Sequence, residues 1–182
     1  MTRSKKNLVW IDCEMTGLDP ERNVLIEIAV IVTNYDLEIV ARGPVLAIRQ
    51  SKAKLDLMDA WNRRTHKQSG LLERIQKEGI PLREAEDEVL KFVKRYCYKR
   101  TAPLCGNSIG QDKRFLARYM PRLHEFLHYK VIDVSSIKLL ATEWYGGKYE
   151  PPEKQELHRA LADIEESIEE LRYFRNAVFI PR

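Results

Sequence analysis

Cysteine is scarce. Cys13, Cys97 and Cys105 are an odd three with no CxxC spacing, which excludes a disulfide framework and a zinc knuckle and leaves them as small core residues. Glycine and proline number only eight each in 182 residues, too few for a collagen-like or low-complexity chain. No apolar run approaches the ~18 residues of a membrane helix; the stretch Ile28 to Asn34 is strand-sized. At the N-terminus Arg3, Lys5 and Lys6 precede Leu8 to Ile11, but Asp12 and Glu14 interrupt what would be the apolar heart of a signal peptide. These absences predict a cytoplasmic chain with no membrane segment.

Hydrophobic residues make up 44% and charged residues 32%, so a normal interior lies under a surface more charged than the ~25% typical of soluble domains. Lys and Arg number 31 against 27 Asp and Glu, a formal excess of +4. That balance suits a polyanionic ligand without specifying one. The length suits one domain, residues 1–182, burying roughly 70% of its unfolded surface.

The first third is β-rich. Leu8 to Cys13, Val24 to Thr33 and Glu38 to Arg49 are strand candidates separated by turn residues, and short connections favour antiparallel neighbours. The pattern then turns helical, near 52–60 and 65–78, with a break at Gly79–Ile80–Pro81. A clear helix follows, because Leu82, Ala85, Val89, Phe92 and Tyr96 recur in steps of three and four. A short strand at 103–106, a helix at about 111–119, a strand from Val131 to Val134 and a helix carrying Ile137, Leu140, Ala141 and Trp144 come next. The last helix has the stripe Leu161, Ile164, Ile168, Leu171 and Phe174. The order βββ, helices, β, α, β, α implies an α/β mixed sheet flanked by helices, not a doubly wound one.

Three sets of polar residues sit where apolar ones belong. In the first strand Leu8, Trp10, Asp12 and Glu14 share one face, and both faces are apolar until Asp12. Two adjacent carboxylates raise each other's pKa unless a cation neutralises them; taken alone, the alternative is a strand frayed into solvent. Asp112 shares a helical stripe with Phe115, Leu116 and Tyr119, a costly place for a carboxylate unless it is paired or near a metal. Its alternative is a first-turn Asp favoured by the helix dipole. His158 and Asp163 are five apart, about 140° around a helix at ~100° per residue, so they share a site only if His158 lies before the helix or at its first residue. There the dipole favours a neutral imidazole suited to act as a base. Their alternative is a solvated pair among Glu165, Glu166, Glu169 and Glu170. Jointly, oxygen-only ligands suit Mg²⁺ or Mn²⁺, and four carboxylates can hold two such ions around a phosphodiester. Glu27 and Asp133 lie among strand residues and are read as structural partners outside the site.

The segments DCEMTGLDP from Asp12 to Pro20, CGNSIGQD from Cys105 to Asp112 and HRALAD from His158 to Asp163 resemble the three motifs of the DEDD exonuclease superfamily, in the subclass with a histidine in the third. With MDAWNRRTH from Met58 to His66 and YKVIDVS from Tyr129 to Ser135, nearly the full chain resembles the oligoribonuclease family. The resemblance implies a ribonuclease H-like five-stranded mixed sheet flanked by helices, and a 3′→5′ exoribonuclease that degrades short oligoribonucleotides, especially dinucleotides, to 5′-mononucleotides. It implies two divalent ions, Mg²⁺ or Mn²⁺, with Asp12, Glu14 and Asp163 at the first, Asp12 also at the second, and Asp112 acting mainly through water. His158 would be the general base.

The same resemblance makes Leu18 and Trp61 base-packing residues and His66 a substrate contact. Ser108, Tyr129, Lys130 and Ser135 would surround the terminal 5′ phosphate, Tyr129 coming from the other chain of a homodimer. A closed phosphate pocket rewards dinucleotides and excludes longer RNA. No membrane and no obligate protein partner are implied. The chain departs from the family in having Lys130 where Arg is common, which keeps the charge but loses the bidentate fork, and in its 149–157 loop. A DNA-directed exonuclease of the superfamily disagrees with the 61–66 and 129–135 segments; a catalytically dead scaffold disagrees with the complete motif set.

Overall fold

A computed structural model describes residues 3–151 and 160–180. Three strands open the chain, β1 (Asn7–Met15), β2 (Leu25–Asn34) and β3 (Ile39–Ala47). Four helices follow, α1 (Lys52–Leu55), α2 (Ala60–Gln68), α3 (Leu71–Glu78) and α4 (Leu82–Tyr96). The second half is β4 (Leu104–Gly106), α5 (Gly110–Tyr119), α6 (Pro121–Phe126), β5 (Val131–Asp133), α7 (Val134–Tyr145) and α8 (Ala160–Ala177). The five strands form one sheet in the order β3-β2-β1-β4-β5. β1 runs antiparallel to β2 and β2 to β3, while β4 and β5 run parallel to β1. The expected mixed five-stranded sheet flanked by helices is therefore the fold.

The period-two pattern of β1 works as the sequence implies. Val9, Ile11 and Cys13 enter one core with Val89 and Val93 of α4, Phe115 and Leu116 of α5 and Leu123 of α6. Leu8 and Trp10 enter the other with Ala141 of α7 and Ile164, Ile168 and Phe174 of α8. Trp10 keeps its indole donor satisfied there, its Nε1 donating to Thr33 Oγ1 at 2.9 Å. A smaller core of Val24, Ile26, Met58, Leu71 and Ile75 seats α3 against β2. Both faces of β1 are thus covered, and Asp12 and Glu14 continue a strand that runs on to Met15, so the frayed alternative is excluded.

The structure differs from the sequence reading at four places. The expected helix at 65–78 is two helices, because Gly70 takes a left-handed conformation (φ 79°) between them. α6 was hidden by its shortness and starts on Pro121, whose missing N–H is harmless in a first turn. Val134 begins α7 rather than ending β5, since Asp133 caps that helix by accepting the N–H of Ser135 at 3.0 Å. The α7 stripe is only partly a core stripe: Ala141 is buried, but Leu140 and Trp144 are exposed. Among the described residues no helix is long and apolar enough to cross a membrane.

Candidate active site

The site begins where β1 leaves the core. Asp12 and Glu14 point to the α8 side of the sheet, as Leu8 and Trp10 do, and Asp163 stands in the first turn of α8. One carboxylate oxygen from each of Asp12, Glu14 and Asp163 lies within 4.8 Å of the other two. Strand and helix come from opposite ends of the sequence.

Three half-buried acids this close oppose one another's charge. The Asp12 carboxyl is held well above the usual range, first by burial and then by Asp112, Glu14, Asp163 and Glu27. Glu14 is pushed up to about 8, by burial and then by Asp163, Glu27 and Asp112. Such a set is poorly arranged for a metal-free protein and well arranged for hard divalent cations, whose charge reverses the balance. The donor chemistry fits Mg²⁺ or Mn²⁺ at Asp12, Glu14 and Asp163.

Asp112 lies outside that trio but faces it. On α5 it is buried, and its Oδ1 accepts the backbone N–H of Cys13, between Asp12 and Glu14, at 3.0 Å. Burial pushes its carboxyl up to about 7, partly offset by that hydrogen bond. The apolar stripe thus carries an acid docked on β1, and that acid also stands in the first turn of α5, where the helix dipole favours it. His158 lies outside the described residues.

The expected substrate residues divide into three groups. Leu18 and Trp61 are 73% and 53% exposed. His66 is not exposed: it is buried in the last turn of α2, with Nε2 3.0 Å from the Met15 carbonyl and Nδ1 3.9 Å from Glu14 Oε2. The imidazole therefore braces the end of β1 through the Met15 carbonyl and lies beside one acid of the trio. Ser108 and Ser135 are brought together, their hydroxyls 3.3 Å apart, with the Ser108 N–H donating to Ser135 Oγ at 2.9 Å and to Asp133 Oδ1 at 3.0 Å. Tyr129 and Lys130 are exposed; the Tyr129 ring stacks on His128 at 4.6 Å, and Lys130 Nζ lies 5.8 Å from its centre.

Two supports hold the site from behind, and the first had no sequence signal. Asn107 accepts from Ser135 Oγ at 3.1 Å and donates to Ser167 Oγ at 2.8 Å and Glu170 at 2.9 Å, while Ser167 Oγ donates to the Asp163 carbonyl at 2.7 Å. A hydrogen-bonded chain thus links the serine pair to the helix that carries Asp163. Glu27, buried opposite Glu14 in the sheet register, pairs with Arg74 of α3 and accepts the Ala160 N–H at the start of α8 at 3.3 Å. Glu27 and Asp133 are structural partners, as expected of them.

An exonuclease family model (RNase_T) matches residues 9–171 of the chain. An oligoribonuclease of Paracidovorax citrulli is 52% identical over 181 residues, covering 100% of this chain and 94% of that protein. The oligoribonuclease of Halorhodospira halophila is 54% identical over 172 residues, 94% of each chain. Among solved structures, the zinc-bound form of an E. coli exonuclease I–ssDNA complex superposes with a TM-score of 0.75 at 11% identity over 96% of this chain. Exonuclease I of Methylocaldum szegediense gives 0.68 at 16% identity over 94%. This chain spans about two fifths of those exonuclease I chains, 41% in each case, and at such identities the likeness is one of fold.

Proposed function

The chain belongs to the exonuclease family, among its oligoribonucleases, and from that premise we propose that it hydrolyses short oligoribonucleotides from the 3′ end, dinucleotides foremost, with two divalent ions. The observation that carries this reading is the meeting of Asp12, Glu14 and Asp163 within 4.8 Å at the end of β1. In the proposed site Asp12, Glu14 and Asp163 would hold one ion and Asp12 would also serve the second; Mg²⁺ or Mn²⁺ there would supply positive charge to the scissile phosphodiester and its leaving oxygen. Asp112, anchored on Cys13, acts through water. His158 takes a proton from the water that attacks phosphorus; the bond to the 3′ oxygen breaks, and a 5′-mononucleotide leaves.

Leu18 and Trp61 offer apolar faces that accept any base by stacking. The paired hydroxyls of Ser108 and Ser135, with Lys130 and Tyr129, surround the 5′ phosphate of a dinucleotide, and this wall sets the length preference. His66, from its buried position, orients Glu14 and the end of β1. Tyr129 serves the site of a second copy in a homodimer, a reading supported by its own exposure and by the bare Leu139 and Trp144 on α7, apolar area that an isolated chain leaves in water. Its proposed location is the cytoplasm, which suits three unpaired cysteines.

The test is a time course on 5′-³²P-labelled RNA of two, three, five and seven nucleotides with Mg²⁺, with Mn²⁺ and with EDTA. Metal-dependent release of mononucleotides with the dinucleotide consumed fastest is the expected result. Equal rates at every length would remove the phosphate wall, and no cleavage in either metal would remove the metal site.

A further inference from the structure

A second concentration of charge lies away from the acids. Lys91, Lys94 and Arg95 stand at i, i+3 and i+4 on the exposed side of α4, a spacing that sets side chains ~5–6 Å apart on one helix face. Arg3 joins them, because Ser4 bridges Cys97 and donates its N–H to the Tyr96 carbonyl at 2.9 Å. Arg122 closes the other side, and these side chains line an open groove of about 530 Å³ that contains one acid, Asp87.

That acid is already used. Arg122 spans Asp87 at 2.6 Å and the buried Glu86 at 2.6 Å, so its guanidinium and both carboxylates are committed to each other. Among the described residues Arg3, Lys91 and Arg95 form no ion pair, and neither does Lys94, whose ammonium rests 5.8 Å over the Phe126 ring. With Arg122 set against Asp87 and Glu86, the five cations and two carboxylates of this patch leave a local excess of three positive charges.

The groove is separate from the acidic site in two ways. α4 packs on the sheet face that carries Val9 and Ile11, whereas Asp12 and Glu14 share the opposite face with Leu8 and Trp10. It also lies by the start of β1 and the trio by its end; Asn7 to Glu14 spans roughly 23 Å of strand, more than a dinucleotide bridges. No aromatic side chain lines it, so bases are not stacked there. Lysines act on phosphates as point charges, and an open groove admits a chain passing through it.

We propose that this groove is a second, non-catalytic site that holds the phosphate backbone of single-stranded RNA longer than the dinucleotide substrate. It binds without regard to sequence, and it keeps the chain on RNA pools from which short fragments are released. A protein partner would need an apolar anchor at the centre of its contact, and the groove offers only Leu90, itself buried in the core beneath.

The test uses a fluorescein-labelled twelve-nucleotide oligouridylate in EDTA, with anisotropy read between 50 and 300 mM KCl. In the triple variant K91Q/K94Q/R95Q the affinity should fall at least tenfold at 100 mM KCl. The slope of log K against log[KCl] should shrink by about 2, the loss of three phosphate contacts at ~0.7 each. Dinucleotide hydrolysis in Mg²⁺ should stay within twofold of the parent, and K91R/K94R should keep RNA affinity. Unchanged affinity and slope in the triple variant would overturn the site. So would an equal loss of dinucleotide hydrolysis, or displacement of the RNA by a polyglutamate peptide of the same charge as effectively as by unlabelled RNA.

Discussion

Asp12 faces two opposing demands, to stay charged for a cation and to stay neutral for the fold. Its neighbours Asp112, Glu14 and Asp163 all disfavour its charge, so Asp12→Asn should act in opposite directions on two measurements. Hydrolysis of a dinucleotide should fall by about 10³-fold or more, a loss of ~4 kcal/mol of transition-state stabilisation, while the melting temperature of the metal-free protein rises. A merely misfolded variant would lose both. The pH dependence follows from the same acids. Glu14 sits at about 8 and Asp112 at about 7 in the fold, against ~4 for unfolded Asp and Glu. Because the folded values are raised, the protonated forms favour the native state; that stability is complete below pH ~4 and is lost progressively as pH rises through about 7 to 8. Melts in EDTA should therefore show a falling midpoint from pH 6 to pH 8, and Mn²⁺ or Mg²⁺ should restore it most at the higher pH.

At the scale of elements, α8 brings Asp163 to β1, and its first turn is held by a carboxylate from β2. Glu27 gives one oxygen to Arg74 and the other to the Ala160 N–H. Arg74→Ala would strand a buried charge, and since the arginine is partly exposed the cost should be about 2 kcal/mol, a fall of roughly 4–8 °C in melting temperature. Activity should fall with it at temperatures below the melt, as the start of α8 loosens, and a circular dichroism melt beside an activity assay checks both. Much of this architecture is legible in the residues: β1 alternates cleanly, α4 and α8 carry unbroken stripes, and Asp12, Glu14 and Asp112 are visible as acids in apolar settings. The partner that Glu27 takes is not, because Arg74 is 47 positions away and ordinary in its own segment. The link from Ser135 through Asn107 to Ser167 is invisible for the same reason. α7 misled because Leu140 and Trp144 are apolar without being internal, and only the sheet's geometry says which side of that helix faces the core. His66 matched a substrate position by motif, yet which way its ring turns was a matter of packing.

For the whole molecule, the proposed dimer makes one protomer's Tyr129 part of the other's site. Two inactive variants should then repair each other. In a mixture of Tyr129→Ala and Asp12→Asn chains, dissociated and reassociated, half the dimers pair one of each, and one site in each of those has both an intact Asp12 and an intact Tyr129. About a quarter of the parent activity should return; a sum of the two residual activities would place Tyr129 within its own chain's site. The groove on α4 belongs to neither site and should be untouched by this exchange.

The cysteines have a kinetic consequence. Cys13 and Cys97 lie in the core on one face of the sheet and Cys105 in the core on the other, all buried. Burial pushes the Cys97 thiol up to about 11 and raises Cys13 and Cys105 as well, so the native protein offers almost no thiolate to an alkylating reagent. Modification must wait for the surrounding layer to open. Each side of the sheet therefore carries its own chemical clock: Cys97 times the parting of α4 from the strands, and Cys105 times the release of α7 and α8.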